Sequence, residues 1–338
     1  MLKRLAIFFL ILVALAGGAA WWMKVRLETP YRAFQGDEVF VELPAGLGVS
    51  AIGERLSDAG IVPDPWTFRL AVRFAGVERR LQAGEYRFAA AATPREVAVR
   101  LARGDVYTKS ITFPEGLTVM EMAGIFGRSG LGTPAEFQAA ANDAALVAEF
   151  DPDAQTLEGY LFPSTYALPR RTGARGAVQA MVGEFTRMFD ARLRADARAR
   201  HLTPRELVTL ASIIEKETAR PEERAIVSAV YQNRLRIGMP LQCDPTVIYA
   251  LMQAGRWDGN IRKTDLQIDS PYNTYRHPGL PPGPIASPGR SSLEAAVHPA
   301  EVKYLYFVSR NDGTHVFAET LEEHNRNVAK YQSGRGRH

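Results

Sequence analysis

The strongest pattern in the chain is a run of nineteen consecutive uncharged residues, Leu5 to Met23 (LAIFFLILVALAGGAAWWM). As a helix the run spans about 28 Å, close to the ~30 Å hydrocarbon core of a bilayer. Lys3 and Arg4 precede it, Lys24 and Arg26 follow it, and Trp21 and Trp22 stand where an interfacial aromatic belt belongs. A cleaved leader with Ala14-Leu15-Ala16 as its small-residue site is the competing reading. The retained anchor is favoured because the apolar run continues to the Trp pair and basic residues follow it. The pattern predicts a cytoplasmic tip at residues 1–4, a transmembrane helix at 5–23 and a polar linker at 24–37. The flanking charges barely favour either orientation, but a short N-terminal anchor ahead of a long soluble body predicts that the body is exported.

After the linker the pattern changes to short alternating and helical segments, and one of them recurs. FVELPAGLGVSAIGERLSDAGI (Phe40 to Ile61) matches SITFPEGLTVMEMAGIFGRSGL (Ser110 to Leu131) at a fixed offset of 70, with Pro44/Pro114, Gly46/Gly116, Leu47/Leu117, Val49/Val119 and Gly60/Gly130 coinciding. Each copy reads as a strand, a Pro-x-Gly turn and an amphipathic helix closed by glycine. Between them, Gly84 to Phe88 reads as a strand. The signal T-P-x-E occurs at Thr93, Thr133 and Thr203, and predicts three helix starts with a capping box and Pro at the first helical position. Residues 175–200 form one long helical pattern with an arginine-rich outer face, and Pro204 to Thr218 and Pro221 to Ile237 form two more helices. The stretch from Pro271 to Arg290, with six prolines, must be loop, and long ordered loops usually carry function. Beyond it come a helix from Ser291 and a strand, turn and strand from Tyr304 to Phe317.

Composition sharpens this picture. A chain of 338 residues, 46% hydrophobic and 23% charged, is folded and long enough for about two domains. Its net charge is only +4, short of the clustered basic face a nucleic-acid binder needs. The first thirty residues carry +3 (Lys3, Arg4, Lys24 and Arg26 less Glu28) and Arg335 with Arg337 adds +2, which leaves −1 for residues 31–330. The body is thus near neutral, which suits a neutral polymer better than a polyanion. The single Cys243 excludes an internal disulfide.

No Walker A loop, H-E-x-x-H or G-x-S-x-G motif is present. His315 and His324 do not have a standard zinc spacing, and Cys243 reads as a small buried side chain. No metal and no cofactor are expected. What remains is carboxylate chemistry on the helix ELVTLASIIEKET, with Leu207, Leu210, Ala211 and Ile214 as its core stripe. At 100° per residue Glu215 and Glu217 fall on opposite flanks of that stripe. Glu217 lies between Leu210 and Ile213, the more apolar setting, which raises a carboxyl pKa and keeps it protonated as a general acid.

Here the chain becomes recognisable. The anchor, ASIIEKETA (Ala211 to Ala219), NRLRIGMPLQCDPTVIYAL (Asn233 to Leu251), YNTYRHPGLPPGPIASPG (Tyr272 to Gly289), SLEAAVHPA (Ser292 to Ala300), YLYFVS (Tyr304 to Ser309) and EHN (Glu323 to Asn325) together resemble the YceG-like family of endolytic murein transglycosylases, nearly end to end. The resemblance implies an α+β protein: an N-terminal transmembrane helix, a LysM-like α/β subdomain at residues 38–108, and a mixed α+β catalytic domain at 109–331 with a lysozyme-like catalytic helix, followed by a tail at 332–338. It implies Glu217 as the catalytic acid, since Glu217-Thr218-Ala219 is similar to the E-S-A triplet of lysozyme-like lytic transglycosylases. Ser164 stands where the family commonly has Asp, and Cys243 where it often has a small hydroxyl residue; neither is expected to touch the acid.

The implied reaction is non-hydrolytic cleavage of the β-1,4 bond between N-acetylmuramic acid and N-acetylglucosamine, leaving 1,6-anhydro ends and ending growth of nascent strands. A glycan presents flat sugar faces and hydroxyls, so Tyr272, Asn273, Tyr275, Gln242, Asn233 and Asp244 are the candidate substrate-binding residues. A hydrolytic muramidase would need a second carboxylate, for which Asp244 or Asp265 could serve, and a non-catalytic peptidoglycan-binding scaffold would need none. The expected partners are peptidoglycan strands, the membrane and peptidoglycan synthases, with no nucleic acid. The expected place is the inner membrane, with the N-terminus cytoplasmic and the bulk periplasmic.

Overall fold

The computed structural model describes residues 2–218 and 220–332, and separates into two compact units, residues 1–109 and 110–338. Among the described residues there are thirteen α-helices and three two-stranded sheets, so the class is mixed α+β.

The first unit opens with α1 (Leu2–Glu28), which does not stop at Met23 but continues through the first part of the expected linker. The extra turns are held by the unit itself. Leu27 is buried, and Arg26 donates to Thr67 Oγ1 at 2.7 Å and pairs with Asp64, the residue that caps the third helix. Residues 7–22 stay exposed and apolar, as a membrane-spanning segment requires. Beyond α1 come β1 (Val39–Leu43), α2 (Val49–Asp58), α3 (Pro65–Ala75), β2 (Gly84–Phe88) and α4 (Pro94–Arg103). β1 and β2 pair antiparallel with Val41 opposite Tyr86, so alternate residues of both strands point into one core with Leu56, Phe68 and Leu101.

The second unit repeats the strand, turn and helix as β3 (Thr108–Thr112) and α5 (Val119–Ser129), and then adds α6 (Pro134–Ala141). In both copies the turn glycine and the closing glycine adopt positive φ, Gly46 and Gly116 at 86° and 76°, Gly60 and Gly130 at 71° and 74°, which explains why these four positions coincide. A side chain at Gly60 would also meet the backbone of Phe34 at 2.6 Å. β4 (Thr165–Pro169) pairs with β3 and leads to α7 (Gly173–Met188) and α8 (Ala191–Ala199). The single helix expected over 175–200 is therefore broken: Asp190 takes an extended conformation and accepts the Leu193 N–H, capping a new helix.

Next come α9 (Pro204–Glu217), α10 (Pro221–Arg236), α11 (Asp244–Gln253), α12 (Arg290–Val297), the antiparallel pair β5 (Tyr306–Ser309) and β6 (His315–Ala318), and α13 (Leu321–Gln332). The capping boxes expected at Thr93, Thr133 and Thr203 all form, and a fourth forms at Thr118 with Glu121. Unlike the amphipathic stripe read from its sequence, α9 is buried over eight consecutive residues, Leu207 to Ile214. It lies at the centre of the unit against α8, α10, α11 and α12. Such a helix is a core element, and truncating one of its leucines to alanine costs about 2–5 kcal/mol.

Candidate active site at the end of α9

The central helix ends at Glu217 because the next residues cannot continue it. Thr218 turns extended, at φ −138° and ψ 130°, and Pro221 occupies the first turn of α10; the residue before a proline avoids the helical region, so the chain must leave α9 and start again. The Glu217 side chain is thereby held at the corner between two packed helices.

Its carboxylate meets two neutral donors. The hydroxyl of Tyr231, a buried residue of α10, donates to Glu217 Oε1 at 2.7 Å, and the thiol of Cys243 donates to the same oxygen at 3.0 Å. Among the described residues Oε2 has no partner. Burial raises the Glu217 pKa above the ordinary carboxyl value, and the nearby Asp244 charge adds to the rise; the Cys243 and Tyr231 hydrogen bonds and the more distant His315 oppose it. Burial also pushes the Tyr231 hydroxyl and the Cys243 thiol well up, so both remain protonated donors. This corrects the expectation that Cys243 stays clear of the acid: 26 residues along the chain, it is brought to Glu217 by the turn between α10 and α11.

That turn is stitched to the proline-rich loop. Gln242 adopts φ 50° and donates its N–H to the Thr274 carbonyl at 3.2 Å, and the Cys243 N–H donates to Thr274 Oγ1 at 3.0 Å. Asp244 accepts the Tyr275 hydroxyl at 2.6 Å. Gln242, Asp244 and Tyr275 are therefore gathered around Glu217 through Cys243. The other expected binding residues are placed differently. Asn273 is fully buried and donates to the carbonyls of Leu266 and Ile268 while accepting the Tyr275 N–H. Asn233 donates to the carbonyls of Val302 and Tyr304. Both amides hold loops in place. Tyr272 packs on Tyr249 with ring centroids 4.9 Å apart, toward the far end of α11.

Glu215 is in a different environment. Its Oε1 pairs with Arg224 at 3.1 Å, and its Oε2 accepts the Gly289 N–H at 2.9 Å. Glu223, on α10, accepts the Thr218 hydroxyl and both the backbone N–H and Nδ1 of His315, fastening the β5–β6 hairpin to the end of α9. Phe307 of that hairpin packs edge-on against both Tyr231 and His315. Asp265 caps the turn at Arg262, and Ser164 contributes its backbone carbonyl to the Phe113 N–H. Sequence reasoning missed Tyr231, Glu223 and Glu158. The last is a buried acid in the LEGYLFPSTY segment that accepts the Val119 N–H at the start of α5; a lone acid among mostly apolar and small neighbours was the signal that could have found it.

A model of the YceG-like family matches residues 41–330. The chain belongs to the YceG-like family. Its relatives include the endolytic murein transglycosylase of Bacillus subtilis, 33% identical over 94% of this chain and 91% of that one. A protein of the same name from Streptococcus pneumoniae is 30% identical over 97% of this chain and 65% of its own length. The crystal structure of a YceG-like protein from Listeria monocytogenes superposes with a TM-score of 0.58 at 32% identity, over 86% of this chain and 98% of that one.

Proposed function

We propose that this YceG-like protein is an endolytic murein transglycosylase that uses Glu217 as its acid and base. The observation that carries the assignment is the Glu217 carboxyl itself, raised in pKa by burial and held through one oxygen by two neutral donors. Protonated on Oε2, it gives its proton to the glycosidic oxygen between N-acetylmuramic acid and N-acetylglucosamine. As the C1–O bond breaks, the sugar passes through an oxocarbenium-like state. The carboxylate then takes the proton of the muramoyl 6-hydroxyl, whose oxygen bonds to C1 and closes the 1,6-anhydro ring. One carboxyl suffices because the substrate supplies its own nucleophile. Gln242, Asp244 and Tyr275, around the acid, are the groups we assign to sugar binding.

The remaining parts fit this role. α1 anchors the chain in the inner membrane with residues 1–4 cytoplasmic, and with the rest of the first unit and the second unit outside. The first unit acts as a LysM-like module, α9 is the lysozyme-like catalytic helix, and the enzyme ends nascent strands beside a peptidoglycan synthase. The test is digestion of uncrosslinked glycan and mass spectrometry of the products. The expected products carry 1,6-anhydro ends and are absent with Glu217→Gln; reducing muramic ends would mean hydrolysis, and an inactive wild-type protein would mean a scaffold.

A further inference from the structure

Beside the later turns of α11, the second unit contains a cleft of about 610 Å³ that the reaction above does not use, within the range of ligand pockets. Its floor is Glu158, which accepts the Val119 N–H at 3.1 Å and the Tyr249 hydroxyl at 3.3 Å. The rings of Tyr249 and Tyr272 and the thioethers of Met120 and Met252 give it apolar walls, and the exposed amides of Gln138, Asn142 and Gln253 stand at its rim.

Among the described residues no lysine, arginine or histidine lines this cleft. Glu158 is its one acidic group there, and burial pushes its carboxyl up to about 8, which favours the neutral form. A ligand bearing phosphate or a free carboxylate would find no counter-charge here. A neutral ligand that offers hydroxyls, an acetamido group and a flat apolar face would find amides, a carboxylic acid and two aromatic rings.

The cleft and Glu217 are connected through α11 and the proline-rich loop. α11 is ten residues, or about 15 Å, long. Its first turn adjoins Cys243 at the acid, and its last carries Met252 and Gln253. Tyr272 is two residues from Thr274, which fixes the Cys243 turn.

Resting on the transglycosylase reading, we infer that this cleft is a remote glycan subsite that binds a neutral N-acetylated sugar ring of the strand, a few sugars from the bond being cleaved. It makes cleavage depend on strand length: strands that reach both Glu217 and the cleft bind more tightly than those that reach only Glu217.

The test uses the full-length protein in detergent with peptide-free, uncrosslinked glycans of defined length. Binding is measured by calorimetry with Glu217→Gln as background, and cleavage with the native acid. Asn142→Ala with Gln253→Ala removes two exposed rim amides. Loss of two hydrogen bonds of about 1 kcal/mol each predicts roughly a tenfold to thirtyfold weaker Kd for long glycans. KM should rise by a similar factor with kcat unchanged, and short glycans should show no change. Met120→Trp, which fills the cleft, should give the same pattern. Unchanged long-glycan affinity in both variants overturns the subsite, as does an equal loss for short and long glycans. Cleft-dependent binding by a wild-type protein that cleaves nothing would leave the subsite standing and remove the transglycosylase reading.

Discussion

Glu215 and Glu217 sit two residues apart on the same buried helix, yet their surroundings give them different chemistry. Glu215 uses both oxygens, one on the Arg224 guanidinium and one on the Gly289 N–H. A carboxylate partnered in this way is tied to its neighbours through both oxygens. Glu217 has no cation at hydrogen-bond distance among the described residues; a phenol and a thiol share one of its oxygens, and burial favours its protonated form. The difference teaches that burial alone does not make an acid catalyst. What matters is whether the buried carboxyl is partnered by charge or by neutral donors, because neutral donors leave Glu217 free to carry the proton that burial favours.

The largest effect should come from exchanging the two roles. Glu217→Gln keeps the shape and removes the transferable proton, and should lower kcat by about a thousandfold or more, with the melting temperature little changed. Glu215→Gln should keep kcat within about tenfold of wild type. Equal losses in the two variants would erase the distinction. Stability should move the other way. Arg224 is buried, its Nε has no partner among the described residues, and Glu115 lies 3.7 Å away, so Glu215→Gln leaves a poorly compensated cation. Removing one member of such a pair costs about 3 kcal/mol, to be read as a fall in the urea midpoint at constant slope. Glu217→Gln should shift that midpoint far less.

Local signals carried much of the fold. The three T-P-x-E caps, the repeated strand-turn-helix and the glycines of its turns are each specified within about two dozen residues, and each forms where expected. The break at Asp190 was concealed because apolar spacing continues on both sides of it, and only its capping bond to Leu193 marks the new helix. The candidate site was legible to the extent that it lies on one helix. The contrast between Glu215 and Glu217 was visible as spacing, but its cause was not. Arg224, Gly289, Tyr231 and Cys243 reach the two acids from sequence distances of 9 to 74 residues, through the packing of α10, α11 and the proline-rich loop. Asn233 and Asn273 mark the opposite limit. Their motifs match the family, but the amides are spent on backbone carbonyls, a use that sequence cannot separate from ligand binding.

The smallest effect is the most discriminating, because it tests the neutral donors directly. Activity requires protonated Glu217, so it falls as pH rises through the Glu217 pKa, and the alkaline limb of the kcat/KM profile reports that pKa. The Tyr231 hydroxyl hydrogen-bonds the ionised form more strongly than the protonated form and so opposes the rise caused by burial. Tyr231→Phe removes this donor and should move the limb upward by about one pH unit, the worth of a hydrogen bond of about 1.5 kcal/mol to a charged group. Cys243→Ala should move it in the same direction by less, since a thiol is a weaker donor. Cys243→Ser should move it downward, because a hydroxyl in the same place favours the carboxylate more. An unmoved limb in all three variants, with melting temperatures preserved, would mean that the donors only fill space and that burial alone separates Glu217 from Glu215.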